Sequence, residues 1–141
     1  GKLDGLSQGL RARHRRNLRR TPAALRRLRG IKHAYATLFT RHELVLSPVL
    51  AHVTPLLGYL SPTVPIEELI ERLERWVAFT PLNNIAGTPA ISLPLAMADE
   101  GLPIGVQLSA AHGDERTLLE TAFQLEAAQP FARITDPVIS S

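Results

Sequence analysis

Proline decides where this chain can be regular. Between residues 48 and 103 it occupies positions 48, 55, 62, 65, 81, 89, 94 and 103. Each proline removes a backbone donor and holds φ near −65°, so each one starts, ends or edges an element. Pro65 opens the clearest helix, with Ile66, Leu69, Ile70, Leu73, Trp76 and Val77 on one stripe. Thr80-Pro81 is expected to end it. Glu68–Arg72 and Glu71–Arg75 are i,i+4 pairs with the acid on the N-terminal side, the favourable order. The segment 49–65, crowded with proline, reads as loop.

The flanking segments follow from the same signals. Residues 1–21 carry glycine at 1, 5 and 9 and then a dense arginine run, and read as a basic, loosely ordered start. Thr21-Pro22 is a helix-start signal, and Leu25, Leu28, Ile31, Tyr35, Leu38 and Phe39 mark one helical face running to about His42. Leu44–Pro48 reads as a short strand. Ala90–Leu95 and Pro103–Ser109 are two more, joined by Asp99-Glu100-Gly101 as an antiparallel hairpin. Asp114 is a good cap for a final helix with Leu118, Leu119, Ala122 and Leu125 on its apolar face. From Pro130 onward the chain reads as irregular. The fold class is α/β: a partial mixed sheet, including a hairpin, packed with helices.

Composition removes several classes of function. There is no cysteine, which excludes disulfides, thiolate catalysis and Cys-based zinc sites. The histidines at 14, 33, 42, 52 and 112 show no metal-ligand spacing. No apolar run approaches the ~20 residues of a membrane span, and no secretory leader is visible, so the expected compartment is the cytoplasm. Charge is unevenly placed. From Arg11 to His42 there are eleven Lys or Arg and no acid, whereas from Glu43 to Ser141 four Arg face twelve acids, a net of −8. A basic nucleic-acid-binding or assembly module on residues 11–42 is therefore an alternative reading. Against it, no aromatic residue interleaves with the arginines before Tyr35, so no base-stacking platform is visible.

The most informative stretch runs from Phe79 to Gln107. A helix ends, a segment rich in Asn, Gly and Pro crosses a tight space, and two strands follow. Gly87 permits backbone conformations other residues avoid, and Pro89 and Pro94 remove donors beside strands. Asn84 suits a helix exit, where backbone groups are unpaired. Taken singly, these are turn chemistry. Their order is more specific: Phe79, Thr80, Asn84, Gly87, Pro89, Ala90, Ile91, Ser92, Pro94, then Gly101, Leu102, Pro103, Gly105, Val106, Gln107, then paired Leu118 and Leu119. This pattern resembles the C-terminal region of the amidase-signature family, most strongly over residues 79–126. Residues 22–141 would then be one incomplete domain, the C-terminal segment of an amidase.

The resemblance implies hydrolysis of a small-molecule carboxylic amide by a Ser–cis-Ser–Lys set, without metal or organic cofactor. In the family both serines lie in a Gly/Ser-rich segment with the lysine before it, all upstream of the region matched here. No catalytic residue carries over, the implied partner is the N-terminal part of an amidase, and the chain alone is expected to be inert. A non-catalytic paralogue is a further alternative. Pocket-lining roles fall to Asn84, Ile85, Gly87 and Gln107, although Gln107 reads equally well as a hydrogen-bond partner in the core. Thr80, Pro89, Ser92, Pro94, Gly101, Pro103 and Gly105 are read as structural members of the motif. The pattern lapses at Leu82 and Asn83, where many members carry proline and an aromatic residue. Val77 and Ala78 replace the acidic residue typical of glutamine-handling members, which argues against that subfamily. A homo-oligomer is expected, because strands cut from a larger sheet leave unpaired edges.

Overall fold

The computed structural model describes residues 5–131. In chain order the elements are α1 (Gly5–Arg16), a 3-10 turn (Leu18–Arg20), α2 (Thr21–Leu38), β1 (Leu44–Pro48), α3 (Ile66–Trp76), α4 (Pro81–Ala86), β2 (Ala90–Met97), β3 (Pro103–Ala110) and α5 (Glu115–Ala128). The irregular tail expected after Pro130 lies almost wholly outside the described residues.

The sheet has the order β1-β3-β2, and both pairings are antiparallel. β2 and β3 form the expected hairpin, closed by Ala98 N–H to Leu102 O (2.8 Å) and Gly101 N–H to Ala98 O (2.9 Å). The register shifts between Leu93 and Ala96, across Pro94, which as an edge-strand residue has no ladder bond to lose on its outer side. β3 lies between the other two strands, so its peptide groups are paired on both sides.

The two faces of β3 differ in chemistry. Side chains alternate across a strand, so Val106, Leu108 and Ala110 share one face, and Gly105, Gln107 and Ser109 the other. The first face meets α5: Leu108, Ala110, Leu93, Leu118 and Ala122 form the core cluster, with Leu44, Ile91, Leu95 and Leu125 around it. Asp114 caps α5, its carboxylate accepting from Thr117 N–H (3.4 Å) and Thr117 Oγ1 (2.7 Å). The second face meets α4 and is polar.

Several expectations change. The basic N-terminal stretch is not loose over Gly5–Arg16 but helical, and it lies against α3 through Arg16–Glu67 (2.9 Å) and Arg13–Glu74 (3.7 Å). All four side chains are largely exposed, so each pair contributes at most about 1 kcal/mol. α2 ends at Leu38 rather than His42, and of its expected face only Tyr35 is buried. On α5, Leu119 points outward and is 51% exposed. Thr80-Pro81 does more than stop a helix. α3 already ends at Trp76, and Pro81, with its φ preset and no donor to lose, begins α4. α3 otherwise follows its pattern, with Leu69, Ile70 and Trp76 buried and both i,i+4 pairs formed.

Leu46 and Leu108 face each other across β1 and β3, but Leu46 is 66% exposed and Leu108 is 4% exposed. Leu108→Ala should therefore lower stability by about 2–5 kcal/mol, through lost burial plus a cavity under α5. Leu46→Ala should cost less than about 1 kcal/mol. Urea denaturation midpoints of the two variants test this, and equal losses would contradict the placement of Leu108, and not Leu46, in the core beneath α5.

Candidate functional site

The polar face of β3 carries a closed hydrogen-bond cluster centred on Asn83. Pro81 starts α4 there, and one short turn brings Asn83 and Ala86 to its inner side, both buried. Asn83 Nδ2 donates to Ser109 Oγ (2.9 Å) and to Thr88 Oγ1 (3.2 Å), while its Oδ1 accepts from Gln107 Nε2 (3.1 Å). Gln107 Nε2 also lies 3.5 Å from Ser109 Oγ. Asn83, Gln107 and Ser109 are 7%, 7% and 1% exposed. Polar groups so enclosed are costly unless paired. Among the described residues no buried side-chain nitrogen or oxygen lacks a partner.

The main chain of Asn83 belongs to the same cluster. Its carbonyl accepts from Gly87 N–H (2.8 Å) and Thr88 N–H (3.3 Å). That closure needs Gly87 at φ 70°, ψ 34°, the left-handed conformation that ends many helices and that a Cβ disfavours. The turn delivers the chain to Pro89, whose carbonyl accepts from Ala110 N–H (3.2 Å), and so to the start of β2. Ser92 and Ser47 lie on either side of Gln107 in register. Gly105 keeps its place because a Cβ there would come 3.0 Å from Val49 Cγ2 and 3.3 Å from Ser92 Oγ.

Of the four expected pocket residues, Gln107 contributes its side chain to this cluster and Gly87 its backbone N–H. Gln107 is buried in it as a core hydrogen-bond partner. Asn84 lies inside α4 rather than at a helix exit, and with Ile85 and Gly87 it occupies the exposed side. Of the structural motif residues, Thr80 precedes α4 without a side-chain cap bond, Pro89 leads into β2, Pro94 lies in the register shift, Gly101 turns the hairpin at φ 75°, and Pro103 begins β3. Asn83, the residue at which the family pattern lapses, holds the cluster together. Its signal was available in Thr-Pro at a helix start and a glycine four residues after Asn83, which together mark a one-turn helix with Asn83 and Ala86 on one face.

Chemically, two carboxamides and two hydroxyls offer no acid, base or ionised nucleophile near neutral pH. The cluster orients and supports; it does not transfer protons. Ser109 is sealed from any external carbonyl, and its partners are amide nitrogens, which cannot act as a base toward it. Of the cavities beyond the cluster, two adjoin the sheet or α4. A groove of about 280 Å³ is lined by Val49–Thr54 and Pro103–Gly105. A smaller one, about 80 Å³, lies between α2 and α4 beside Lys32 and His112. None of Asn84, Ile85, Gly87 or Gln107 lines either. Among the described residues no group of three or more His, Cys, Asp or Glu is placed to hold a metal ion, and no helix is long and apolar enough to cross a membrane.

The three-stranded antiparallel sheet packed with helices has amidase-signature hydrolases as its structural neighbours. The family model Amidase matches residues 3–119, and the chain belongs to that family. It is 47% identical over 133 residues to "Putative amidase AmiC" of Mycobacterium leprae, covering 94% of this chain and 28% of the relative. It is 42% identical over 95 residues to the 6-aminohexanoate-cyclic-dimer hydrolase of Pseudomonas sp., covering 63% and 19%. A solved structure of a 6-aminohexanoate cyclic dimer hydrolase superposes with a TM-score of 0.67 at 33% identity, over 80% of this chain and 25% of that one. The chain thus spans little more than a quarter of the length of the AmiC relative.

Asn83→Ala removes the acceptor of Gln107 and a donor to Ser109 in a dry site, and should lower stability by about 1–3 kcal/mol. Asn84→Ala, one position away and exposed, should stay within about 0.5 kcal/mol of the parent. Urea denaturation of both variants checks this; a larger loss at position 84 would contradict the cluster as described.

Proposed function

We propose that this chain is the C-terminal portion of an amide hydrolase whose nucleophilic serine, cis-serine and lysine lie upstream of it, and that it serves as framework for that site without catalysing on its own. The observation that carries this reading is the disproportion of the match. Nearly the whole chain aligns with AmiC relatives, yet it accounts for 28% of the length of the Mycobacterium leprae one. The residues agree with it. Lys32, the lysine among the described residues, is exposed on α2, and Ser92 and Ser109 belong to the sheet rather than to a Gly/Ser-rich segment. The Asn83–Gln107–Ser109 cluster stiffens the surface that an upstream catalytic segment would rest against, and Asn84, Ile85 and Gly87 lie at its open rim. The substrate is a small carboxylic amide, in the chemical class that the relatives' names describe. The partner is the upstream part of the same enzyme, and the compartment is the cytoplasm.

The nucleic-acid alternative loses ground on two counts. Arg13 and Arg16 are spent on Glu74 and Glu67 of α3, and Tyr35, the aromatic residue closest in sequence to the run, is buried.

The isolated chain should turn over no member of a panel of aliphatic and aromatic amides, and a serine-reactive fluorophosphonate should leave it unlabelled. Stoichiometric labelling of any serine, or turnover above a denatured control, would overturn the proposal.

A further inference from the structure

We infer that α5 of a second copy of this chain docks antiparallel on α2, an apolar pair bracketed by carboxylates meeting an apolar patch bracketed by cations. The contact uses none of the Asn83 cluster, so it goes beyond the hydrolase reading and does not rest on it. On α5, Leu118 and Ala122 are buried against the sheet. One position on, about 100° around the helix, Leu119 and Phe123 point away from the chain, 51% and 66% exposed. Glu115 lies one turn before Leu119, and Glu126 lies three residues after Phe123. Neither acid is in an ion pair among the described residues. α2 carries the opposite pattern. Ala23, Ala24 and Leu28 floor an open concavity walled by Arg20 and Arg27, and Lys32 stands one turn beyond Leu28. These cations have no ion-pair partner among the described residues, and the sequence places no acid between Arg11 and His42.

The spacings of the two helices agree. Arg20, Ala24, Leu28 and Lys32 recur every four residues, and Glu115, Leu119, Phe123 and Glu126 recur at four, four and three. Residues at such intervals share one face of a helix. With the helices antiparallel, Leu119 meets Leu28, Phe123 enters the concavity over Ala24, and Glu115 and Glu126 reach Lys32 and Arg20. At a rise of about 1.5 Å per residue the cations bracket about 18 Å and the carboxylates about 16 Å, so both ends close together. The chain cannot make this contact with itself. α2 packs on α4, at the polar side of the sheet, whereas α5 covers the apolar side. The other acidic helix, α3, is a poorer occupant, because Glu67, Glu68, Glu71 and Glu74 are already in ion pairs. Two different patches make the contact heterologous, so each copy can hold two neighbours and assembly runs past a dimer.

The test uses the 141-residue chain with Leu28→Gln and Phe123→Gln, which each replace an exposed apolar side chain without altering charge. Light scattering of the parent should give a mass that rises with concentration from the 15.5 kDa monomer past that of a dimer. Either substitution alone should weaken association about tenfold or more, the loss of a central apolar contact. An equimolar mixture should restore it as a pair holding one copy of each, because one variant keeps its α5 patch and the other its α2 patch. A parent that stays monomeric at high micromolar concentration would overturn the inference. So would a mixture that associates no better than its components. Variants that associate like the parent, as pairing through the open edges of β1 and β2 would allow, overturn it as well. Hydrogen exchange of the unsubstituted chain needs no variant: backbone amides of both α2 and α5 should exchange more slowly as concentration rises. Slowing confined to one of the two helices would contradict the contact.

Discussion

Burial of β3 on both faces is the constraint on which the rest of the molecule depends. It is the strand with neighbours on both sides, and its last four residues, Gln107 to Ala110, are all buried. A strand in that position must satisfy two different requirements. Leu108 and Ala110 need apolar cover, which Leu118 and Ala122 of α5 supply. Gln107 and Ser109 need polar partners in a place water does not reach. Asn83 meets that need with both ends of one carboxamide. Because its carbonyl also closes the turn at Gly87 and Thr88, the same residue sets where α4 ends and how the chain enters β2. The side chain fixes packing and the main chain fixes topology, so neither can relax without the other.

That coupling explains which parts of the architecture could be read from the amino acids. The hairpin, α3 and the Asp114 cap depend on signals within a few residues of themselves: alternation bounded by Asp-Glu-Gly, a stripe bounded by prolines, a carboxylate before Glu115. α4 spans six residues, too short for periodicity to declare it, so spacing alone does not separate the inward Asn83 from the exposed Asn84. α1 is obscured by its glycines and arginines; it adds no buried residue, and it meets α3 through ion pairs and the close approach of Gly9 to Ile66. The spacing of Leu25, Leu28, Ile31 and Tyr35 makes an apolar stripe on α2, of which Tyr35 is buried. Periodicity reports that a face is apolar, and it carries no information on whether its cover lies in the same chain.

The cluster has no titratable group, and among the described residues no buried side-chain nitrogen or oxygen lacks a hydrogen-bond partner, which suits a rigid structural support. The chain matches an amidase model over residues 3–119 and superposes on a solved hydrolase at a TM-score of 0.67. The support is made by an Asn-Asn pair whose first asparagine turns inward, onto Gln107, Ser109 and Thr88.

A double-mutant cycle on Asn83 and Gln107 tests that central claim most directly. Urea denaturation of the parent, Asn83→Ala, Gln107→Ala and the double variant measures how much each side chain depends on the other. If the two form one unit, their coupling should be about 1 kcal/mol or more, with the double variant losing clearly less than the sum of the single losses. Additivity within about 0.3 kcal/mol would mean that Asn83 and Gln107 stabilise the chain independently, and would contradict a cluster that joins α4 to β3.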